Sequence, residues 1–288
     1  MKKLQTRVLL FIISFILIIA AVFGAMLYLN VFAPPEDIPV IEPPPEEPPE
    51  EVTPEEPSEL VMLERFRDYY EQNEDFVGWI RVPNTPIDYP VVYCSDNSFY
   101  LSHDFLKRPT KEGTPFLDMG AGILEKNQNL SIYGHYLKNG KMFTALHRYK
   151  DLDYYKSYPM FMFDTLYEEG FYKIFSVFYM AGNRTDGLFY YYPTSHFASD
   201  EAFMKHVAQL RTRSIFNTTV DVAPGDQLVL LTCCTYEVDN LRLIVAGRKI
   251  RPDESFLVDV NNAVLNPAPL YPQKWYNAKG GKPPEMEE

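Results

Sequence analysis

The chain has 288 residues, of which 46% are hydrophobic and 15% aromatic, enough for one good-sized domain or two. Its formal net charge is −12, and no basic run occurs beyond the first few residues. That argues against nucleic acid as a partner, because phosphate contacts need a basic face.

Lys2, Lys3 and Arg7 precede an apolar run without charge over residues 8–29. About 20 apolar residues span a bilayer, and basic flanks favour the inside. The expectation is a single-pass signal anchor in the cell membrane, with residues 1–7 cytoplasmic and the rest of the chain extracellular. A cleaved signal peptide would have a shorter apolar core, usually about 7–15 residues. Residues 30–59 are dominated by proline and glutamate and read as an extended, charged extracellular linker with nothing to bury. Composition turns globular from residue 60, so residues 60–252 are expected to form the folded domain. Residues 253–288 read as a tail that is loosely attached at best.

Apolar residues at helical spacing over 60–73 predict an opening helix. Eight short segments rich in β-branched and aromatic residues then predict strands over 77–82, 87–93, 113–118, 130–135, 160–164, 171–182, 227–234 and 242–250. Before the last two, residues 199–214 carry Phe203, Val207 and Leu210 as an apolar stripe, with Ser199 or Asp200 as cap, and predict a helix. This pattern suggests a mainly β domain, a closed or nearly closed barrel with a helix laid against it.

The three cysteines are Cys94, Cys233 and Cys234. An odd count outside the membrane leaves at least one unpaired, and adjacent cysteines rarely bond each other; Cys94 with one of the pair stays open. A metal site lacks a second ligand pair at the usual spacing. The functional reading of the pair is a thiolate nucleophile, which needs a base and an oxyanion donor. Among His103, His135, His147, His196 and His206, His135 stands out at a strand end before a glycine-containing loop. Taken singly, each histidine is more often structural than catalytic. Arg242 starts the strand after the cysteines, where a surface charge is the ordinary role. A hairpin returning from Cys234 would instead bring its guanidinium beside the thiol.

Five blocks in order, VGWIRVPNTPIDYPVV, DNSFYLSHDF, GTPFLD, IYGHYLKNGKMF and TCCTYEVDNLRLIVAGR, resemble the class B sortases, the membrane-anchored cysteine transpeptidases of Gram-positive bacteria. The resemblance covers nearly all of residues 60–250. It implies a sortase-type closed eight-stranded β-barrel with an N-terminal helix and a helix before the penultimate strand. It also implies a Cys–His–Arg site with His135 and Arg242, acting without metal or cofactor. The family motif T-L-x-T-C fits Leu230, Thr232 and Cys233. The spacing from Gly225–Asp226 and on to Arg242 fits Cys234, as does the TYE that follows. Strand neighbours face opposite ways, so only one thiol can face His135, and choosing Cys233 needs an extra residue and hence a bulge. Cys234 is taken as the nucleophile, with Cys233 a small buried apolar side chain.

By the same resemblance Asn97, Leu101 and Thr232 line a peptide groove, although Asn97 as a turn cap and Leu101 as core are the plainer roles. Asp104 and Asp118 read as structural hydrogen-bonding residues. The implied partners are sorting-signal peptides of secreted surface proteins and an amine from a peptidoglycan precursor or a pilin subunit. Substrate choice is expected in residues 188–217. Two other classes fit parts of the sequence: an extracellular cysteine peptidase and a tethered binding domain. Papain-like peptidases put the cysteine before the histidine and at a helix start, unlike this chain, and a binding domain would leave the cysteines idle.

Overall fold

The computed structural model describes residues 60–121, 127–182 and 195–283. The expected cytoplasmic segment 1–7, anchor 8–29 and linker 30–59 lie outside the described residues, as does part of the expected specificity region, residues 188–194. Among the described residues no helix is long and apolar enough to cross a membrane.

The strands are β1 (Phe76–Arg81), β2 (Asp88–Val92), β3 (Phe116–Leu117), β4 (Asn129–Tyr133), β5 (Met160–Thr165), β6 (Phe171–Ala181), β7 (Phe216–Asn217), β8 (Leu228–Thr235), β9 (Leu241–Lys249) and β10 (Val264–Leu265). Eight of them form one sheet in the order β1-β2-β3-β4-β8-β9-β6-β5, and β1 also pairs with β5, so the ladder closes on itself. Every predicted strand has its counterpart there within a few residues; the segment over 113–118 shrinks to two. The remaining pair, β7 with β10, was not anticipated. The opening helix is shorter than the pattern promised: a 3-10 turn over Glu64–Phe66 followed by α1 (Arg67–Gln72). The later helix, α3 (Asp200–Arg213), starts as expected, with the Ser199 hydroxyl accepting from the Ala202 N–H at 3.2 Å. The described residues also form a 3-10 segment (Phe143–Lys150), α2 (Leu152–Ser157) and α4 (Gln273–Lys279).

The two faces of β8 and β9 explain the packing. Val229, Leu231, Cys233, Leu243 and Val245 belong to the large core cluster, while Leu228, Leu230, Ile244 and Ala246 belong to the cluster shared with α3. Alternation along each strand separates the two sets. β6 is buried on both faces, and a register shift between Ile174 and Ser176 changes its parity: Tyr172 and Ile174 share the large cluster with Val177 and Tyr179. From α3, Phe203, Val207 and Leu210 are all but fully buried, each contributing about 1.5–3 kcal/mol of transfer free energy.

The tail differs from expectation. Ala263 is fully buried, Val260, Tyr271 and Trp275 pack against the large core, and the Leu270 N–H donates to the Thr212 carbonyl. Glu254 is bound by Lys173 and by the fully buried Arg248, which also meets Asp221. Proline and charge made this segment look solvent-bound. Its sparse apolar residues are spaced to cover the barrel between the polar stretches.

Candidate functional site

β8 and β9 form an unbroken antiparallel hairpin ladder from the Leu228–Arg248 pair to the Thr235–Leu241 pair, without a bulge. Cys233 therefore faces Leu243, and Cys234 lies opposite Arg242. Cys233 is 2% exposed within the large core, and burial pushes its thiol well above the ordinary range. Cys234 is exposed, on the same strand face as Thr232. All three cysteines are free, so the open possibility of a bridge from Cys94 is not realised. The Cys94 thiol is itself pushed up by burial.

β4 runs parallel to β8, with Tyr133 beside Thr232, and the Gly134 N–H donates to the Thr232 carbonyl at 3.0 Å. This carries His135 to the same end of the sheet as Cys234. Gly134 is needed for packing, since a Cβ there would lie 2.5 Å from Cγ of the fully buried Phe143. Nε2 of His135 lies 2.7 Å from the Leu101 carbonyl, which can only accept, so that nitrogen carries the proton. Gly113, at φ +66°, makes room for this bond: a Cβ there would sit 3.0 Å from the Leu101 carbonyl oxygen and 3.1 Å from the His135 ring.

These residues share a cleft of 530 Å³. Cys234, His135, Arg242 and Thr232 line it together with Asn97, Leu101, Asp118 and Tyr133. The expected site residues thus meet in one place. The guanidinium of Arg242 sits 5.7 Å from the centre of the Tyr133 ring, within cation–π range. The Tyr133 hydroxyl donates to Asp118 at 3.0 Å, and the Asn97 amide donates to the same carboxylate oxygen at 2.9 Å. Asn97 also accepts from the Met119 N–H at 2.8 Å, so both ends of its amide brace the cleft wall. The turn cap beside it is Asp96, which accepts from the backbone of Ser98 and Phe99. Leu101 is 40% exposed rather than core, and Met119 is 52% exposed beside it; Thr232 is buried in the floor. Asp104 takes the backbone N–H groups of Leu106 and Arg108.

The other histidines lie elsewhere. His103 stacks on Phe99 at 4.0 Å, His196 meets Ser195, and His206 is held beside Phe197, its pKa lowered by burial to about 4. Among the described residues no cluster of His, Cys, Asp and Glu is arranged to hold a metal ion. Tyr133, the last residue of β4, was missed by sequence reading, although it lies two residues before His135 in the segment 130–135 predicted as one strand, where alternation would set both on one face.

No family model matches the chain. It is 29% identical over 189 residues to sortase B of Listeria monocytogenes, covering 65% of this chain and 74% of that protein. The crystal structure of sortase B from Bacillus anthracis in complex with AAEK1 superposes with a TM-score of 0.59 at 28% identity, covering 66% of this chain and 86% of that one. These likenesses in sequence and structure support a class B sortase. A Staphylococcus aureus sortase B–substrate complex matches with a TM-score of 0.60 at 25% identity, covering 66% and 87% of the two chains. The enzyme class of this sortase is the cysteine transpeptidase, carried on a mainly β fold with an eight-stranded sheet.

Proposed function

We propose that this sortase cleaves a sorting motif near the C-terminus of secreted proteins and transfers the acyl group to an amine of a cell-wall precursor or a pilin subunit. In this reading the chain is held at the outer face of the cell membrane by residues 8–29, with residues 30–59 as spacer. His135 takes the thiol proton as the Cys234 sulfur attacks the scissile carbonyl carbon. As the tetrahedral adduct collapses, the C–N bond breaks and His135 gives a proton to the leaving amine, leaving a thioester. The incoming amine then attacks the thioester carbonyl, His135 takes its proton, the C–S bond breaks and a new amide forms. Because Nε2–H of His135 is committed to the Leu101 carbonyl, Nδ1 is the nitrogen that exchanges the proton. Arg242 supplies a fixed positive charge for the oxyanion or the substrate carbonyl. Asn97 and Thr232 shape the groove, and Leu101 offers it an apolar wall.

The observation that carries the reading is the register of the β8–β9 hairpin. It sets Cys234 against Arg242 at a cleft that His135 also lines. The solved sortase B–substrate complex of the Staphylococcus aureus relative supports a substrate as the occupant. The test incubates the full-length chain in detergent with a library of fluorescent sorting-motif peptides, with and without an added amine. Intact mass detects the acyl-enzyme. The expected result is an adduct on wild type, none on Cys234→Ala, and a product that incorporates the amine. Cleavage that ignores the amine would make the chain a peptidase, and an adduct surviving in Cys234→Ala would refute the assignment.

A further inference from the structure

His147 sits in the 3-10 segment after the His135 loop and does not line the cleft. Its Nε2 lies 3.0 Å from the backbone carbonyl of Cys234, which can only accept, so the ring N–H donates. The reason this carbonyl needs a donor lies in the sheet. Alternate carbonyls of β8 point toward β4, and the row of bonds along that side runs up to the Gly134 N–H on the Thr232 carbonyl. The next carbonyl in the row belongs to Cys234. By then the neighbouring chain has left the ladder, since Tyr136 turns back to pair with Met142. The strand end that carries the cysteine would have a polar edge with no backbone partner.

We propose that His147 is a positioning residue: its ring N–H replaces the missing backbone donor and fixes the end of β8 on which Cys234 stands. The same ring stands edge-on to Tyr136 at 4.6 Å, and Tyr136 stands edge-on to Tyr236 at 5.0 Å. One imidazole thus ties the segment leaving His135 to the segment leaving Cys234, and holds the two reacting side chains in a common frame. Burial lowers the His147 pKa, partly offset by the bond to the Cys234 carbonyl. The neutral ring keeps its Nε2 proton for that bond. The adjoining Lys150–Glu237 pair and the Tyr179 hydroxyl, which donates to Glu237 at 2.7 Å, anchor the following turn from the other side.

This role rests on Cys234 being the nucleophile, and the experiment keeps the two ideas apart. In the full-length chain in detergent, His147→Phe keeps an aromatic ring against Tyr136 and removes the donor. His147→Gln supplies an N–H at the reach of Nε2. The first readout is the carbonyl carbon resonance of Cys234 in protein labelled with carbonyl-¹³C cysteine, assigned with Cys233→Ala and Cys94→Ala. It is expected to move upfield in His147→Phe and to return in His147→Gln. The second is turnover of a peptide that wild type accepts, with the amine present. His147→Phe is expected to lower kcat about five- to tenfold with KM within about twofold, and His147→Gln to recover most of it. An unmoved resonance in His147→Phe overturns the proposal, as does a moved resonance with unchanged kcat, or a loss that His147→Gln does not rescue. Wild type turning over no peptide overturns the transpeptidase reading and with it this role, and the resonance then tells that failure apart from absence of the bond.

Discussion

Neighbouring cysteines on opposite faces of one strand should separate stability from chemistry. Cys233 is 2% exposed in the core cluster with Val229, Leu231, Leu243 and Val245, and nothing in that set offers a hydrogen bond to a side chain. Cys233→Ser puts a hydroxyl there at a cost of about 1–3 kcal/mol. For a domain of this size about 2 kcal/mol lowers Tm by roughly 4–8 °C. Cys234 is exposed, so Cys234→Ser should stay within about 0.5 kcal/mol of wild type. Calorimetry on both variants, with acyl-enzyme detection by intact mass, gives the crossed result expected: Cys233→Ser melts early and still forms the adduct, whereas Cys234→Ser melts like wild type and forms none. If Cys234→Ser lost stability while Cys233→Ser did not, the β8 parity argued here would be wrong. An adduct that survives Cys234→Ser would refute the proposed nucleophile even with parity intact.

Gly134→Ala places a Cβ 2.5 Å from Cγ of the buried Phe143, which should cost about 1–3 kcal/mol and move His135. Activity should fall, and Phe143→Leu in the same chain should restore part of it, read as a double-mutant cycle. In the tail, the bond from the Arg248 guanidinium, reinforced by Lys173, holds the Glu254 carboxyl well below the usual carboxylate range against the opposing effect of burial. A depressed carboxylate pKa contributes stability that is present above the unfolded value, near 4.5, and is lost as pH falls toward the folded one. Glu254→Gln should therefore lower stability by about 2 kcal/mol at pH 7, and the gap to wild type should narrow in denaturant melts taken progressively below about pH 4.5. A gap that is constant with pH would mean that the side chain acts through packing alone.

What could be read from the sequence follows from where the information is local. The strands were legible because each segment is dense in Val, Ile, Leu and aromatics between turn residues, and β6, β8 and β9 are buried on both faces over most of their length. The choice between Cys233 and Cys234 was legible as a question of parity, and the spacing that set Cys234 opposite Arg242 agrees with the unbroken β8–β9 register. The tail was misjudged because its apolar residues, Val260, Ala263, Leu270, Tyr271 and Trp275, are scattered with no helical or strand period, and their burial depends on a surface built far earlier in the chain. The Asn97 amide, the Tyr133 ring and the His147 donor were illegible for a related reason. Each acts on a partner distant in sequence: Asp118, Arg242 and the Cys234 carbonyl respectively.

That contrast bears on how the site is held. Motif residues are brought together by two ladders, β4 on β8 and β8 on β9, and both ladders run out near the thiol: the first gives its last bond at Gly134, the second its last pair at Thr235 and Leu241. A strand end is where backbone pairing is weakest, yet the proposed chemistry needs Cys234, His135 and Arg242 fixed to within fractions of an ångström. Groups outside the two ladders must supply the order that the ladders no longer provide. Tyr133 does so beneath Arg242, the Leu101 carbonyl does so for His135, and the His147 ring does so for Cys234. None of the three supports is itself a reacting group. Removing any one should therefore lower the rate of the chemical step more than the affinity for peptide, a split that a defect in the groove wall at Leu101 or Asn97 would reverse.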